Sequence, residues 1–164
     1  MLNQKVIERV LCAALSNGGD FAEIFVEDKL STNIKLVGGI IENNISGREY
    51  GVGIRIFNGF NCIYAYTNDS SEENLIKVAK EAAAALKSTS SDLTLNFLKG
   101  NDRDINPIKI LPSTVEKNKK VDLMKKAYEV AKNYDPCITQ VTVSYLDEDQ
   151  KIFVANTEGV LAED

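Results

Sequence analysis

Between Ala22 and Tyr66 the sequence alternates apolar and polar residues with a period of two, broken by glycine-bearing turns. Period two is the spacing of a strand with one buried face, so this stretch commits the chain to a β-sheet. Ala22, Ile24 and Val26 fall on one side, Glu23 and Glu27 on the other. After the polar pair Asp28-Lys29 the pattern resumes at Thr32, Ile34 and Leu36, and the whole reads as a hairpin with one wet face. Gly38-Gly39 marks a turn or bulge before a short run from Ile40 to Ile45. Tyr50, Val52, Ile54 and Ile56 then alternate again. Asn58-Gly59 suits a type I′ turn, because both residues accept positive φ. Phe60, Cys62, Tyr64 and Tyr66 line one face of the returning strand. Four or five largely antiparallel strands are expected here.

Three other stretches carry helical spacing. Residues 4–17 place Ile7, Val10, Leu11, Ala14 and Leu15 together, and Asn17-Gly18-Gly19 ends that helix. Ser70-Ser71-Glu72-Glu73 opens the second, with Ser70 and Glu73 at capping-box spacing. Its stripe is Leu75, Ile76, Ala79, Ala82, Ala83 and Leu86, narrow enough to pack closely on a sheet. The third spans 115–133, with Val121, Met124, Ala127, Tyr128 and Ala131 inward, and stops at Asp135-Pro136. Val141, Val143 and Tyr145 follow as a strand, Asp147-Glu148-Asp149-Gln150 reads as a turn, and Lys151 to Asn156 returns. The expected fold class is α+β: a mostly antiparallel sheet with about three helices packed on it. The order helix, strand, turn, strand over 115–156 repeats that of the first 37 residues and allows an internal duplication. The expected divisions are a core over 1–86, a polar loop or linker over 87–112, a helix-hairpin module over 113–156, and the start of a further region over 157–164. Val160-Leu161-Ala162 begins an element and stops almost at once, which reads as a truncated product.

The chain contains no histidine. That excludes a Ser-His-Asp triad, a Cys-His dyad and every histidine-containing zinc motif within it. Paired-carboxylate chemistry stays open, because separation in space decides it. Cys12, Cys62 and Cys137 are odd in number and far apart, unlike a disulfide framework or zinc ribbon. Cys12 and Cys62 read as buried structural thiols. A net charge of −5 disfavours nucleic acid, which calls for a basic face. No apolar run approaches the roughly 20 residues that cross a bilayer, and the first residues carry no secretory pattern, so cytoplasmic residence without a membrane partner is expected.

Few residues invite a functional reading. Gly51-Val52-Gly53 lacks the third glycine and the following helix of a nucleotide loop, and reads as strand glycines permitting close packing. Arg55 lies on the face opposite Val52 and Ile54. It reads as a structural ion pair or exposed arginine, or as a contact to a peptide or partner. Tyr64 and Tyr66 share a face with Phe60 and Cys62, as an aromatic core stripe or as a ligand platform. Asp147-Glu148-Asp149 lacks the glycine and distal glutamate of a calcium loop and reads as a solvated turn. Lys117, Lys119, Lys120, Lys125 and Lys126 share a helix with Glu116 and Asp122, as a solvated face or a docking surface.

The segment from Gly18 to Glu27 resembles the opening of the amino-terminal domain of the TldD/PmbA family. So does the succession Gly51-Val52-Gly53-Ile54-Arg55, then Tyr64-Ala65-Tyr66-Thr67-Asn68, then an alanine-rich helix. The stretch from Asn156 to Asp164 looks like that family's junction into its next region. The resemblance covers nearly the whole chain and is weakest over 88–112; Ala65-Tyr66-Thr67-Asn68 favours the TldD branch over PmbA/TldE. It implies a full-length zinc metallopeptidase acting on unfolded or modified peptides, as in microcin leader removal and antitoxin degradation. The zinc would be held by an HExxxH helix and a distant cysteine, none of them in this chain, so no catalytic or metal-binding residue is expected here and the chain alone would be inactive. It further implies a PmbA/TldE-like partner subunit, with the peptide passing between the two. Arg55, Tyr64, Tyr66 and Asn68 are the expected peptide- or partner-contacting residues. The alternatives are a free-standing peptide- or protein-binding module using sheet-edge strand addition, or a non-catalytic PmbA/TldE-like subunit.

Overall fold

A computed structural model describes residues 2–86, 97–99 and 107–164. Among these the chain forms three α-helices and one six-stranded sheet, an α+β fold as expected. The helices are α1 (Gln4–Ala14), α2 (Glu72–Ala84) and α3 (Lys117–Lys132). The strands are β1 (Phe21–Val37), β2 (Ile40–Asn58), β3 (Asn61–Thr67), β4 (Leu98–Lys99), β5 (Thr142–Asn156) and β6 (Val160–Glu163), in the order β3-β2-β1-β5-β6-β4. β2 and β3, like β5 and β6, pair antiparallel, and the two-residue β4 joins β6 in parallel.

Two compact units share these strands. The first comprises Met1–Asp28, Tyr50–Asp104 and Lys151–Asp164; the second comprises Lys29–Glu49 and Ile105–Gln150. In the first, α1 starts at Asn3, whose side chain accepts the Lys5 N–H at 2.9 Å. α1 and α2 pack together, and their apolar faces cover Ala22 and Ile24 of β1, Val52, Ile54 and Ile56 of β2, and Phe153 and Ala155 of β5. The larger aliphatic side chains of this core are almost fully buried, each worth about 1.5–3 kcal/mol of transfer from water. The second unit has a smaller core. Ile34 and Leu36 of β1 meet Met124 of α3, flanked by Ile41, Val121, Tyr128, Val143 and Tyr145.

Several expectations change. Asp28-Lys29 is not a turn: β1 is one strand of 17 residues, and after an exposed Leu30 the even-numbered side chains are buried again at Thr32, Ile34 and Leu36. The runs 40–45 and 50–57 likewise belong to one strand of 19 residues, so three long strands precede α2 rather than four or five. The two-residue turn with positive φ throughout is Gly38-Gly39, at +58° and +85°, which is the type I′ pattern. At the β2–β3 hairpin the turn is Gly59-Phe60, closed by the pair Asn58 and Asn61. Only Gly59 has positive φ there, the pattern of type II′.

Asp147-Glu148-Asp149 is also no turn, because β5 runs through it. α2 starts after Ser71, whose side chain makes no capping hydrogen bond, and not through a Ser70–Glu73 box. Ala127 of α3 is exposed, while Lys120, expected in water with its neighbours, is buried. Cys12, Cys62 and Cys137 are all exposed free thiols. Most of the expected loop over 87–112 lies outside the described residues; within it Leu98–Lys99 is strand and Pro112–Thr114 enters a 3-10 turn.

Candidate functional site

The expected contact residues gather on β2 and β3 of the first unit. In their register Gly53 opposes Tyr66, Arg55 opposes Tyr64, and Phe57 opposes Cys62. Directly opposed residues of an antiparallel pair point to the same side. This side is the one away from Val52, Ile54 and Ile56, so the tyrosines do not form a core stripe. Tyr64 is 59% exposed and Tyr66 81%. Inward-facing Ile63 and Ala65 supply what β3 gives to the core.

Tyr64 is nonetheless held. Its ring lies across Gly53, where an added Cβ would sit 2.9 Å from the ring's Cζ, so only glycine lets the tyrosine lie flat on the sheet. Arg55 pairs with Glu23 of β1 and lies over the Phe57 ring, 5.4 Å from its centroid. Phe21 continues the cluster, its centroid 6.0 Å from that of Phe57. A half-exposed guanidinium between a carboxylate and an aromatic ring is fixed in direction. Arg55 is thus both an ion-pair partner and part of the open face.

Asn68 stands just beyond β3, in the corner leading to α2. Asn74 donates to the Thr67 hydroxyl and the Asp69 carbonyl, both at 2.9 Å, while the Asp69 carboxylate accepts the Ser71 N–H at 2.9 Å. That last bond holds the Asp69 carboxyl below its ordinary pKa. The corner is tied on both sides of Asn68, whose own side chain is exposed. The fold therefore brings Arg55, Tyr64 and Tyr66 onto one face and leaves Asn68 at its end.

The second unit contains a groove of about 360 Å³ between β1, β2, β5 and the start of α3. Ser31, Thr32, Ser46, Arg48, Ser113 and Lys117 line it, and the ion pair of Lys120 with Asp147 forms its floor. The Lys120 Nζ lies 2.6 Å from Asp147 and 5.7 Å from the centre of the Tyr145 ring. Burial pushes the Asp147 pKa up, but hydrogen bonds from Lys120, Tyr145 and Thr32, with the lysine's charge, outweigh burial and hold it below the ordinary carboxylate value. Tyr145 is pushed up, first by that hydrogen bond and then by burial and the Asp147 charge. The sequence reading missed this network. Its signal was parity and spacing: Asp147 follows Val143 and Tyr145 at period two, and Lys120 precedes Met124 and Tyr128 at period four.

Among the described residues no three histidine, cysteine, aspartate or glutamate side chains come together as a metal site. With no histidine in the sequence and three separate exposed cysteines, the described residues do not fit a zinc centre.

Two family models match. Residues 22–86 fit the PmbA/TldA metallopeptidase domain 1, and residues 110–164 fit the PmbA/TldA metallopeptidase central domain. A metalloprotease TldD homolog of Buchnera aphidicola subsp. Acyrthosiphon pisum is 24% identical over 149 residues, covering 88% of this chain and 30% of the relative. A modulator of DNA gyrase from Bacteroides thetaiotaomicron has a similar structure, with a TM-score of 0.77 at 19% identity, covering 99% of this chain and 38% of that one. TldE from Thermococcus kodakarensis gives a TM-score of 0.65 at 16% identity, covering 97% and 36%. These likenesses show the fold. The chain spans about a third of the length of each of these proteins.

Proposed function

The chain belongs to the PmbA/TldD metallopeptidase family, and we propose that it forms the amino-terminal scaffold, part of the peptide path and part of the subunit contact of a TldD-type zinc enzyme. In this reading the whole protein trims or degrades unfolded or modified peptides in the cytoplasm beside a PmbA/TldE-like partner, with neither nucleic acid nor membrane involved. The zinc belongs to an HExxxH helix and a cysteine outside these 164 residues, and the chain by itself hydrolyses nothing. Arg55, Tyr64, Tyr66 and Asn68 contact the peptide or the partner.

The observation that carries this reading is the placement of Tyr64 and Tyr66. Both stand out of a strand at the end of the sheet; Gly53 lies beneath the Tyr64 ring, and a tied corner follows Tyr66. Rigid, amphipathic tyrosines give contact area at little entropic cost, which is why they concentrate where partners bind. Edge strands are ordinarily guarded by charge, proline or a bulge. β3, Asn61-Cys62-Ile63-Tyr64-Ala65-Tyr66-Thr67, has neither charge nor proline.

The same strand favours a second reading, a free-standing module that binds by strand addition. Asn58 and Asn61 close a two-residue turn, so they and every second pair after them bond across to β2. Cys62, Tyr64 and Tyr66 then turn their N–H and C=O groups away from β2, where no described strand pairs with them.

Steady-state cleavage of a labelled unstructured peptide by the full-length protein tests the first reading. Tyr64→Ala with Tyr66→Ala is expected to raise KM about tenfold with kcat little changed, the mark of lost binding contacts. Unchanged KM would sink the role of this face. Equally tight peptide binding by the 164-residue chain alone would favour the free-standing module.

A further inference from the structure

α3 has two apolar stripes, and among the described residues only one is covered. Met124 and Tyr128 pack inward with Lys120. Leu123, Val130 and Tyr134 are 60%, 73% and 84% exposed, and Ala127 between them is exposed as well. The successive steps of four and three residues put Leu123, Ala127 and Val130 in one stripe, roughly 60° wide at about 100° per residue, and Tyr134 stands two residues beyond the end of the helix. Steps of four and three are the seam spacing by which one helix packs along another. A helix that only needed to cover the sheet would carry polar residues there, and large apolar side chains grouped in water mark a contact surface.

The margins of the stripe say what would cover it. Lys119 and Lys126, seven residues apart, run along its outer side, while Asp122 and Glu129 lie roughly 120° round the helix from its centre. Flanking charges choose the partner in helix pairs: lysines here call for acidic residues opposite. A second copy lacks them. Packed antiparallel it sets its own Lys119 and Lys126 against these two; packed parallel it offers Met124 and Ala131. α1 and α2 already bury their apolar faces in the first unit's core.

We propose that this side of α3 docks an amphipathic helix of a second polypeptide, one whose apolar stripe is flanked by glutamate or aspartate.

The probe is a helical peptide with leucine at the seam positions, glutamate beside them and a single tryptophan; the chain has no tryptophan, so fluorescence reports the peptide alone. Saturable binding is expected, at least tenfold tighter than for the same peptide with lysine in place of glutamate. Lys119→Glu with Lys126→Glu should invert that preference, and Val130→Asp should remove binding of both peptides. These side chains are exposed, so circular dichroism should show each variant folded. Absent binding, equal affinity for the two peptides, dimerisation of the chain through this stripe, or binding to phosphatidylserine vesicles lost in Val130→Asp would each overturn the proposal. So would a full-length protein that excludes the peptide while the 164-residue chain takes it, since a helix of the same polypeptide would then occupy the site.

Discussion

Lys120 of α3 and Asp147 of β5 meet at 2.6 Å with 3% and 11% of their side chains exposed, so the second unit is closed by an ion pair out of water. Burying two charges costs nearly what their attraction returns, but stranding one of them costs far more. Lys120→Met or Asp147→Asn should each destabilise the protein by about 3–5 kcal/mol. Lys120→Met combined with Asp147→Leu should fall well short of the sum, because no charge is left unpaired. Urea unfolding of the three variants measures the coupling. Additive losses would mean that the two groups are independently solvated.

The same pair gives the fold an acid limit. The folded-state pKa of Asp147 is depressed, so its contribution is fully present above the ordinary carboxylate value and is lost as pH falls through the depressed one. Stability should therefore decline below about pH 4. The double variant Lys120→Met, Asp147→Leu should decline less steeply over the same range. Tyr145 works in the opposite sense: its raised pKa makes its contribution fall away as pH rises beyond about 10. Thermal midpoints between pH 2 and 11 test both arms.

Gly53 and Tyr64 form a coupled pair in the first unit. A Cβ on Gly53 would push into the Tyr64 ring, so Gly53→Ala should cost about 1–3 kcal/mol through displacement of that ring. In a Tyr64→Ala background the same substitution should cost little. The difference, read from a double-mutant cycle, is expected to exceed about 1 kcal/mol. A Gly53→Ala cost that persists without the tyrosine would place the strain in the backbone instead.

Period two and period 3.6 made the inward residues of the first unit legible: Ile7, Val10, Leu11, Val52, Ile54 and Leu75 are where the pattern puts them. What the pattern could not show was continuity. Asp28-Lys29 and Asp147-Glu148-Asp149 look like turns because charged pairs usually mark solvent, yet a strand tolerates them wherever a neighbour supplies the opposite charge or a hydrogen bond. Asp147 has Lys120, and Asp149 accepts a hydrogen bond from Ser113, 36 residues away. Partners so distant in sequence leave no local trace. The aromatic face failed differently. Phe60, Cys62, Tyr64 and Tyr66 have core-like composition, but alternation alone assigns two faces without saying which is buried, and Ile63 and Ala65 took the inner one. Arg55 was legible as a charge on the outer side; its partner Glu23 was visible only as a wet residue of another strand.

The hairpin between β1 and β2 depends on backbone that other residues resist. Gly38 and Gly39 have φ of +58° and +85°, in the left-handed region where a Cβ costs about 1–2 kcal/mol. Nothing lies within 4 Å of a Cβ added at Gly38, so Gly38→Ala should cost only that backbone term, and Gly38→Asn less, since asparagine tolerates the region. Gly39 differs: its Cβ would stand 3.1 Å from the Tyr128 ring, adding a contact to the strain. Gly39→Ala should therefore be the more damaging of the two alanine substitutions. Removing the ring with Tyr128→Ala should cancel the contact part but leave the backbone part. Urea midpoints in the order wild type, Gly38→Asn, Gly38→Ala, Gly39→Ala would bear this out. Equal losses at the two glycines would show that Tyr128 moves aside without cost, and that α3 is seated on the hairpin less firmly than its contacts imply.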